Sequence, residues 1–137
     1  MKNFNKLIAI LLLVVTASCL FGCKKQVQTF ENSIVITADS KFMDIKDDTV
    51  LLDYMNELKS DGQIDFVISN GMITEMNGVK NTDNSYWMLY TDDAELSNKA
   101  WGEVVVDEKT YSSAVLGAES LVIKDGKTYV WSYVTFQ

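Results

Sequence analysis

Few side chains in this sequence are equipped for chemistry, and their types limit what that chemistry is. The chain has two cysteines, Cys19 and Cys23, and no histidine. Cys23 closes an apolar run in Leu20-Phe21-Gly22-Cys23-Lys24-Lys25-Gln26. Such a thiol serves as half of a disulfide, a metal ligand, a nucleophile or an attachment point. Without histidine, Ser-His-Asp and Cys-His nucleophilic arrangements are excluded. There is no glycine-rich phosphate loop. The adjacent carboxylate pairs Asp47-Asp48 and Asp92-Asp93 read as solvated loop residues or helix caps. A loose calcium site from Asp92, Asp93 and Glu95 is the one metal reading, and it lacks the alternating acidic spacing and distal Glu of an EF-hand loop. The expectation is a protein that is not an enzyme and has no cofactor.

The opening residues decide among the uses of Cys23. Met1 to Lys6 carries two lysines and no acid, Leu7 to Val15 is nine consecutive apolar residues, and Thr16-Ala17-Ser18 follows. A basic start, a short apolar core and small residues form the secretory signal pattern. An apolar run of that length falls short of the roughly 20 residues of an ordinary membrane span. Cys19 lies inside this segment, so cleavage before Cys23 leaves one cysteine and no internal disulfide. Leu20-Phe21-Gly22-Cys23 resembles a bacterial lipobox, with Phe21 larger than the usual residue. That resemblance implies diacylglyceryl transfer to the Cys23 thiol, cleavage after Gly22 and acylation of the new amino terminus. Several acyl chains give a stable anchor where one does not. The expected organisation is a signal peptide over 1–22, a polar tether over 23–32 and a domain over 33–137. The expected location is the outer face of the bacterial cytoplasmic membrane.

Loss of residues 1–22 removes Lys2 and Lys6 and no acid, leaving ten lysines against 19 acids, a formal charge of −9. No arginine is present. This balance excludes nucleic acid as a partner, since phosphates call for a basic surface. It excludes electrostatic adhesion to an anionic bilayer on the same ground.

The aromatic side chains are the better lead. Trp87 and Trp131 read as core residues of neighbouring strands. Tyr86, Tyr90, Trp101 and Tyr133 are the candidates for an exposed platform that binds an apolar planar ligand or a protein partner. Trp101 leads this group, because Asn98-Lys99-Ala100-Trp101-Gly102 is a polar setting that suggests a loop. The plainer reading, Trp101 packed over a sheet edge, stays open beside it.

The elements that must hold these residues are mostly strands. Ser33–Ala38 alternates, with Ile34, Ile36 and Ala38 on one face. Val50–Lys59 reads as the main helix, preceded by capping oxygens from Asp47, Asp48 or Thr49, facing the core with Leu51, Tyr54, Met55 and Leu58, and closed by Gly62. Ile64–Ile68, Met72–Met76, Ser85–Tyr90 and Glu103–Asp107 read as strands. Asn70-Gly71 and Asn77-Gly78 are strong hairpin turns. Residues 121–124 and 127–136, joined by Asp125-Gly126, read as the clearest hairpin. This order predicts an α+β fold with one main helix on a mixed or antiparallel sheet.

Four stretches, Thr49–Met55, Gly71–Val79, Tyr86–Tyr90 and Val122–Gly126 with Trp131-Ser132-Tyr133, resemble in order and spacing a family of bacterial extracytoplasmic domains. That family is related to the C-terminal domain of transcobalamin and intrinsic factor. The departures are Thr91-Asp92-Asp93 in place of a Val-Asn-Gly turn, Lys127 in place of Asp, and a longer Ala94–Ala118 stretch. The resemblance implies a β-grasp-like fold and, since the related carrier domain covers one side of a corrinoid, a cobalamin-like or other small apolar solute passed to a membrane transporter. The alternative is a protein-interaction or structural surface module with no small ligand.

Overall fold

The structure, a computed structural model, describes residues 25–137. Cys23, its lipobox and the signal segment lie outside the described residues. The described strands are β1 (Val27–Thr29), β2 (Ser33–Thr37), β3 (Phe66–Ser69), β4 (Met72–Met76), β5 (Val79–Lys80), β6 (Ser85–Thr91), β7 (Ser97–Val106), β8 (Lys109–Ala114) and β9 (Thr128–Thr135). Among the described residues one α-helix, α1, spans Leu51–Ser60, and a 3₁₀ turn spans Ala94–Leu96. The strands form a six-stranded sheet in the order β1-β2-β9-β6-β8-β7 and a three-stranded sheet β3-β4-β5. Every described pairing is antiparallel. The fold is thus α+β, a main helix packed with two antiparallel sheets. Among the described residues no helix is long and apolar enough to cross a membrane.

The helix forms where the apolar spacing places it. Leu51, Tyr54, Met55 and Leu58 recur at helical intervals and are all buried. Its start differs from the expected cap. Val50 occupies the cap position and offers no side-chain acceptor. The first-turn amides instead reach tertiary partners, Leu51 N donating to Leu121 O at 2.8 Å and Leu52 N to Ala118 O at 2.9 Å. Thr49 Oγ1 accepts from Lys46 N, so it is spent on the preceding turn. At the other end Gly62 N donates to Lys59 O and Gln63 N to Leu58 O, the paired bonds of a Schellman closure.

Two cores lie on the two faces of the large sheet. On the helix side Ile34, Ile36 and Ala38 join Tyr129, Trp131, Trp87 and Leu89 against α1 and the small sheet. On the other side Val35, Tyr90, Val106, Tyr111 and Val130 form a second cluster. Residues from both sheet edges, Phe30 after β1 and Val106 and Tyr111 on β7 and β8, line one pocket of about 80 Å³ there. The sheet therefore curls around that second cluster. Alternation along β9 follows directly, aromatic residues toward the helix and valines into the curl.

Three expectations are corrected. Residues 121–124 do not pair with 127–136; only Val50 and Val122 form an isolated bridge. Both edges of β9 are taken by β2 and β6, so Leu121 and Ile123 fill the core beneath the helix start instead. The tether region contributes β1, with Val27 opposite Ile36, so the fold begins ahead of Ser33. β8 was not expected, because its turn carries no glycine. Asp107 and Glu108 both adopt left-handed backbone, φ 50° and 66°, as a two-residue hairpin between twisted strands requires. Glu108 is strained there and exposed. Glu108→Gly is expected to raise stability by about 0.5–1 kcal/mol, the left-handed penalty less the entropy of glycine, read as a higher urea midpoint.

Candidate functional site

The site is built from the helix-side face of the two central strands. Register places Leu89 opposite Trp131 and Trp87 opposite Tyr133, so alternate residues of β6 and β9 form one aromatic floor. Both indole N–H groups are satisfied inward. Trp87 Nε1 donates to Val79 O at 2.8 Å, and Trp131 Nε1 lies 3.3 Å from Met55 Sδ. These contacts fix both rings, which are 8% and 5% exposed.

Above this floor the sheets part. β8 pairs with β6 only at Tyr90–Ser113 and Thr91–Ser112. From Ala114 the chain peels away, and Val115 N donates to Leu96 O at 3.0 Å. The β3–β4 hairpin stands on the opposite bank. The result is an open groove of about 300 Å³, floored by Trp87, Leu89 and Trp131 and banked by Met72 and by Ala114 to Ala118. No charged side chain lines it. Its two rim residues, Met72 and Leu116, are 62% and 45% exposed. Gly71 at the hairpin turn holds φ 78°, the left-handed region that favours glycine.

A larger depression of about 710 Å³ lies where the described chain begins, but Lys25, Asp39, Lys41 and Asp61 wall it. Such a charged hollow holds water more readily than an apolar ligand. The smaller groove is the better binding geometry.

The four aromatic candidates are not brought together. Tyr133 is nearest, its ring 5.1 Å from Trp87 and its hydroxyl donating to Lys80 O at 2.7 Å. Tyr90 lies on the other face of the sheet, buried with Val35, Tyr111 and Val130; burial pushes its phenol up. Tyr86 shares that face by alternation, packs 6.1 Å from Phe136 and donates to Asp83 O. Trp101 is in edge strand β7 rather than a loop, and it is 64% exposed. A single platform from these four does not exist, because Tyr133 is in register with Trp87 on the helix-side face, Tyr86 and Tyr90 lie on the opposite face, and Trp101 is on the edge strand.

The acidic stretch weighed as a loose calcium site holds a lysine of the chain. Asp93 is buried, and its Oδ1 accepts from Glu95 N at 3.1 Å, capping the 3₁₀ turn. Lys124 Nζ lies 3.0 Å from Asp93 Oδ2 and 2.8 Å from Glu95 Oε2. Asp93 Oδ2 makes no well-directed hydrogen bond, so its contact with Lys124 is ionic. Asp92 Oδ1 accepts from Thr128 N. Glu95 first and Asp93 next hold the Lys124 ammonium charged, raising its pKa. A cation is already in place, supplied by the chain. Among the described residues no group of three or more ligating side chains could hold a metal.

Sequence reasoning missed the banks of the groove. Met72 and Leu116 are unremarkable in sequence, and the sole local signal was an apolar residue directly after the Asn70-Gly71 turn. The chain matches no protein-family model, no curated protein and no solved structure.

Proposed function

We propose that this protein is a lipid-anchored, non-enzymatic extracytoplasmic binding module that holds a small apolar solute in the groove between β4, β6 and the 114–118 segment. The observation that carries the reading is the floor of Trp87, Leu89 and Trp131 beneath about 300 Å³ of open, uncharged space. That volume is at the small end of ligand pockets. It takes a compact apolar molecule whole, or one edge of a larger planar one. A corrinoid is the specific candidate, in keeping with the transcobalamin-like resemblance and a β-grasp-like fold. Attachment through Cys23 at the outer face of the membrane places the module beside a transporter that receives the solute.

The test has two arms. The full chain, with Cys23 intact, is titrated calorimetrically with cobinamide and with cobalamin, alongside Gly117→Phe. A Cβ at Gly117 meets nothing within 4 Å, so the backbone there accepts a side chain, and Gly117 lines the groove. Binding weakened about tenfold or more by Gly117→Phe, a loss of about 1.4 kcal/mol, supports the reading. Absence of heat with either corrinoid removes that solute class, and equal binding by the variant removes the groove. In the second arm, Cys23→Ser is expected to move the protein from the membrane to the soluble fraction, and retention on the membrane contradicts the anchor.

A further inference from the structure

The chain is tied into the fold very soon after Cys23. Gln26 N donates to Gln63 Oε1 at 3.2 Å, and Gln63 Nε2 donates back to Gln26 Oε1 at 2.8 Å. Gln26 O accepts from Thr37 N at 2.9 Å. The next residue, Val27, is buried opposite Ile36. Gln26 thus belongs to the folded body, held by β2 on one side and by the exit of α1 on the other. Three residue steps separate it from Cys23, a reach of at most about 11 Å.

The chain enters at the end of the large sheet where β1 and β9 begin and β2 and β6 finish. Two depressions flank Lys25 there. One is bordered by residues of the 39–42 and 61–63 loops, the other by the 125–126 turn. Three loops therefore stand around the point of entry. They carry both signs of charge, Lys41 with Asp39, Asp61 and Asp125. A zwitterionic headgroup answers both, its ammonium meeting carboxylates and its phosphate meeting lysines.

We infer that, with Cys23 as the anchor, this end of the domain is seated on the headgroups of the bilayer, the three loops in contact and the large sheet rising from the surface. This arrangement rests on the anchor proposed above and on no property of the groove's ligand. The acyl chains, not net charge, supply the attachment, so an acidic chain is held where free adhesion would fail. With so short a reach the body cannot drift from the surface, and loops on several sides of the entry restrain its tilt. The groove then has a fixed place. Leu89 and Trp131 lie two residues along their strands from Thr91 and Tyr129, and Trp87 lies four. The floor runs from about 7 Å to about 14 Å along the strands from that row. A solute held there is presented to a partner embedded in the same membrane.

The test compares two heights above the bilayer. Ser40→Cys puts a thiol among the entry loops and keeps the bond from the residue 40 amide to Asp125 Oδ1. Asp83→Cys puts one just before β6, at the opposite end of the sheet, and both positions are exposed. The full chain with either substitution is made in bacteria and labelled with a donor fluorophore, which acylated Cys23 does not accept. It is reconstituted into phosphatidylethanolamine vesicles with a minor share of phosphatidylglycerol and an acceptor on the headgroups. β6 alone separates the two ends by about 20 Å, so energy transfer from position 40 is expected to exceed that from position 83 about twofold or more. A Gly-Ser insert of about 12 residues after Lys24 adds about 20 Å of slack and is expected to erase most of the difference. Equal transfer from both positions without the insert overturns the seated arrangement and leaves the anchor standing. A difference that the insert does not change overturns the role of the short reach. Protein that fails to float with the vesicles overturns the anchor, and the seated arrangement with it.

Discussion

Between about pH 10 and about pH 12 the domain is expected to lose about 2–3 kcal/mol of stability through Tyr54 alone. Tyr54 is fully buried on α1, and its phenol is pushed up from 10.0 to about 12. Loss of solvent is the largest cause, and the charges of Asp39 and Asp125 add to it. The hydrogen bond from Asp39 N to Tyr54 Oη, 3.0 Å, partly opposes them. Below about pH 10 folded and unfolded chains both keep the proton, and stability is unaffected. Above it the unfolded chain releases the proton while the folded chain retains it. The unfolded state then binds fewer protons, and stability falls until the folded phenol ionises near 12. Tyr129, Tyr90 and Tyr111 are raised by burial as well and act in the same direction. Urea midpoints taken from about pH 9 to about pH 12 measure the fall. Tyr54→Phe loses the bond to Thr37 O, costing about 1–3 kcal/mol at neutral pH, yet its midpoint is expected to decline less steeply. Parallel declines for the two proteins would refute the assignment to Tyr54.

Trp131→Ala is expected to cost about 3–5 kcal/mol. Trp131 lies in β9, between β2 and β6, opposite Ile34 on one side and Leu89 on the other. It is 5% exposed, and its N–H is turned to Met55 on the helix. The ring therefore joins helix, sheet and groove floor, and its removal leaves a void that strands hydrogen-bonded on both edges cannot collapse to fill. Trp131→Phe keeps most of the packing and forfeits only the rim of the indole and the sulfur contact, so its loss is expected to be less than half as large. Should Trp131→Ala be too unstable to isolate, the phenylalanine variant still reports. Equal losses for both would mean the N–H contact, not ring volume, is what matters. Unfolding followed by the fluorescence of Trp87 gives both values.

Local sequence was a sound guide wherever a few neighbouring residues set the outcome. Asn70-Gly71 and Asn77-Gly78 adopt left-handed backbone at both positions of each turn, and β4 runs from Met72 to Met76 between them, as alternation and turn chemistry required. The buried face of α1 and the inward residues of β2 follow from spacing alone. The same reasoning misplaced 121–124, where Asp125-Gly126 does turn the chain but the strand before it finds no free edge. It missed β8 because Asp107-Glu108 turns without glycine. It left Trp101 between a loop and a sheet edge, because a bulged edge strand and a loop share the same polar composition.

By itself, then, the sequence determined the α+β class, the main helix, the hairpins marked by Asn-Gly, the exclusion of His-dependent nucleophilic chemistry and the expectation of an anchor at Cys23. These rest on residue types and on spacings of a few positions, which act before the chain is folded. Only the tertiary structure decided that Trp87, Leu89 and Trp131 share a floor, that Tyr86 and Tyr90 lie on the far face, and that Lys124 fills the acidic cluster. It also decided that β7, with Trp101 on it, is left as an open edge. Each of these depends on which strand takes which edge, a competition among residues as distant as Ile34 and Trp131 that no local pattern records.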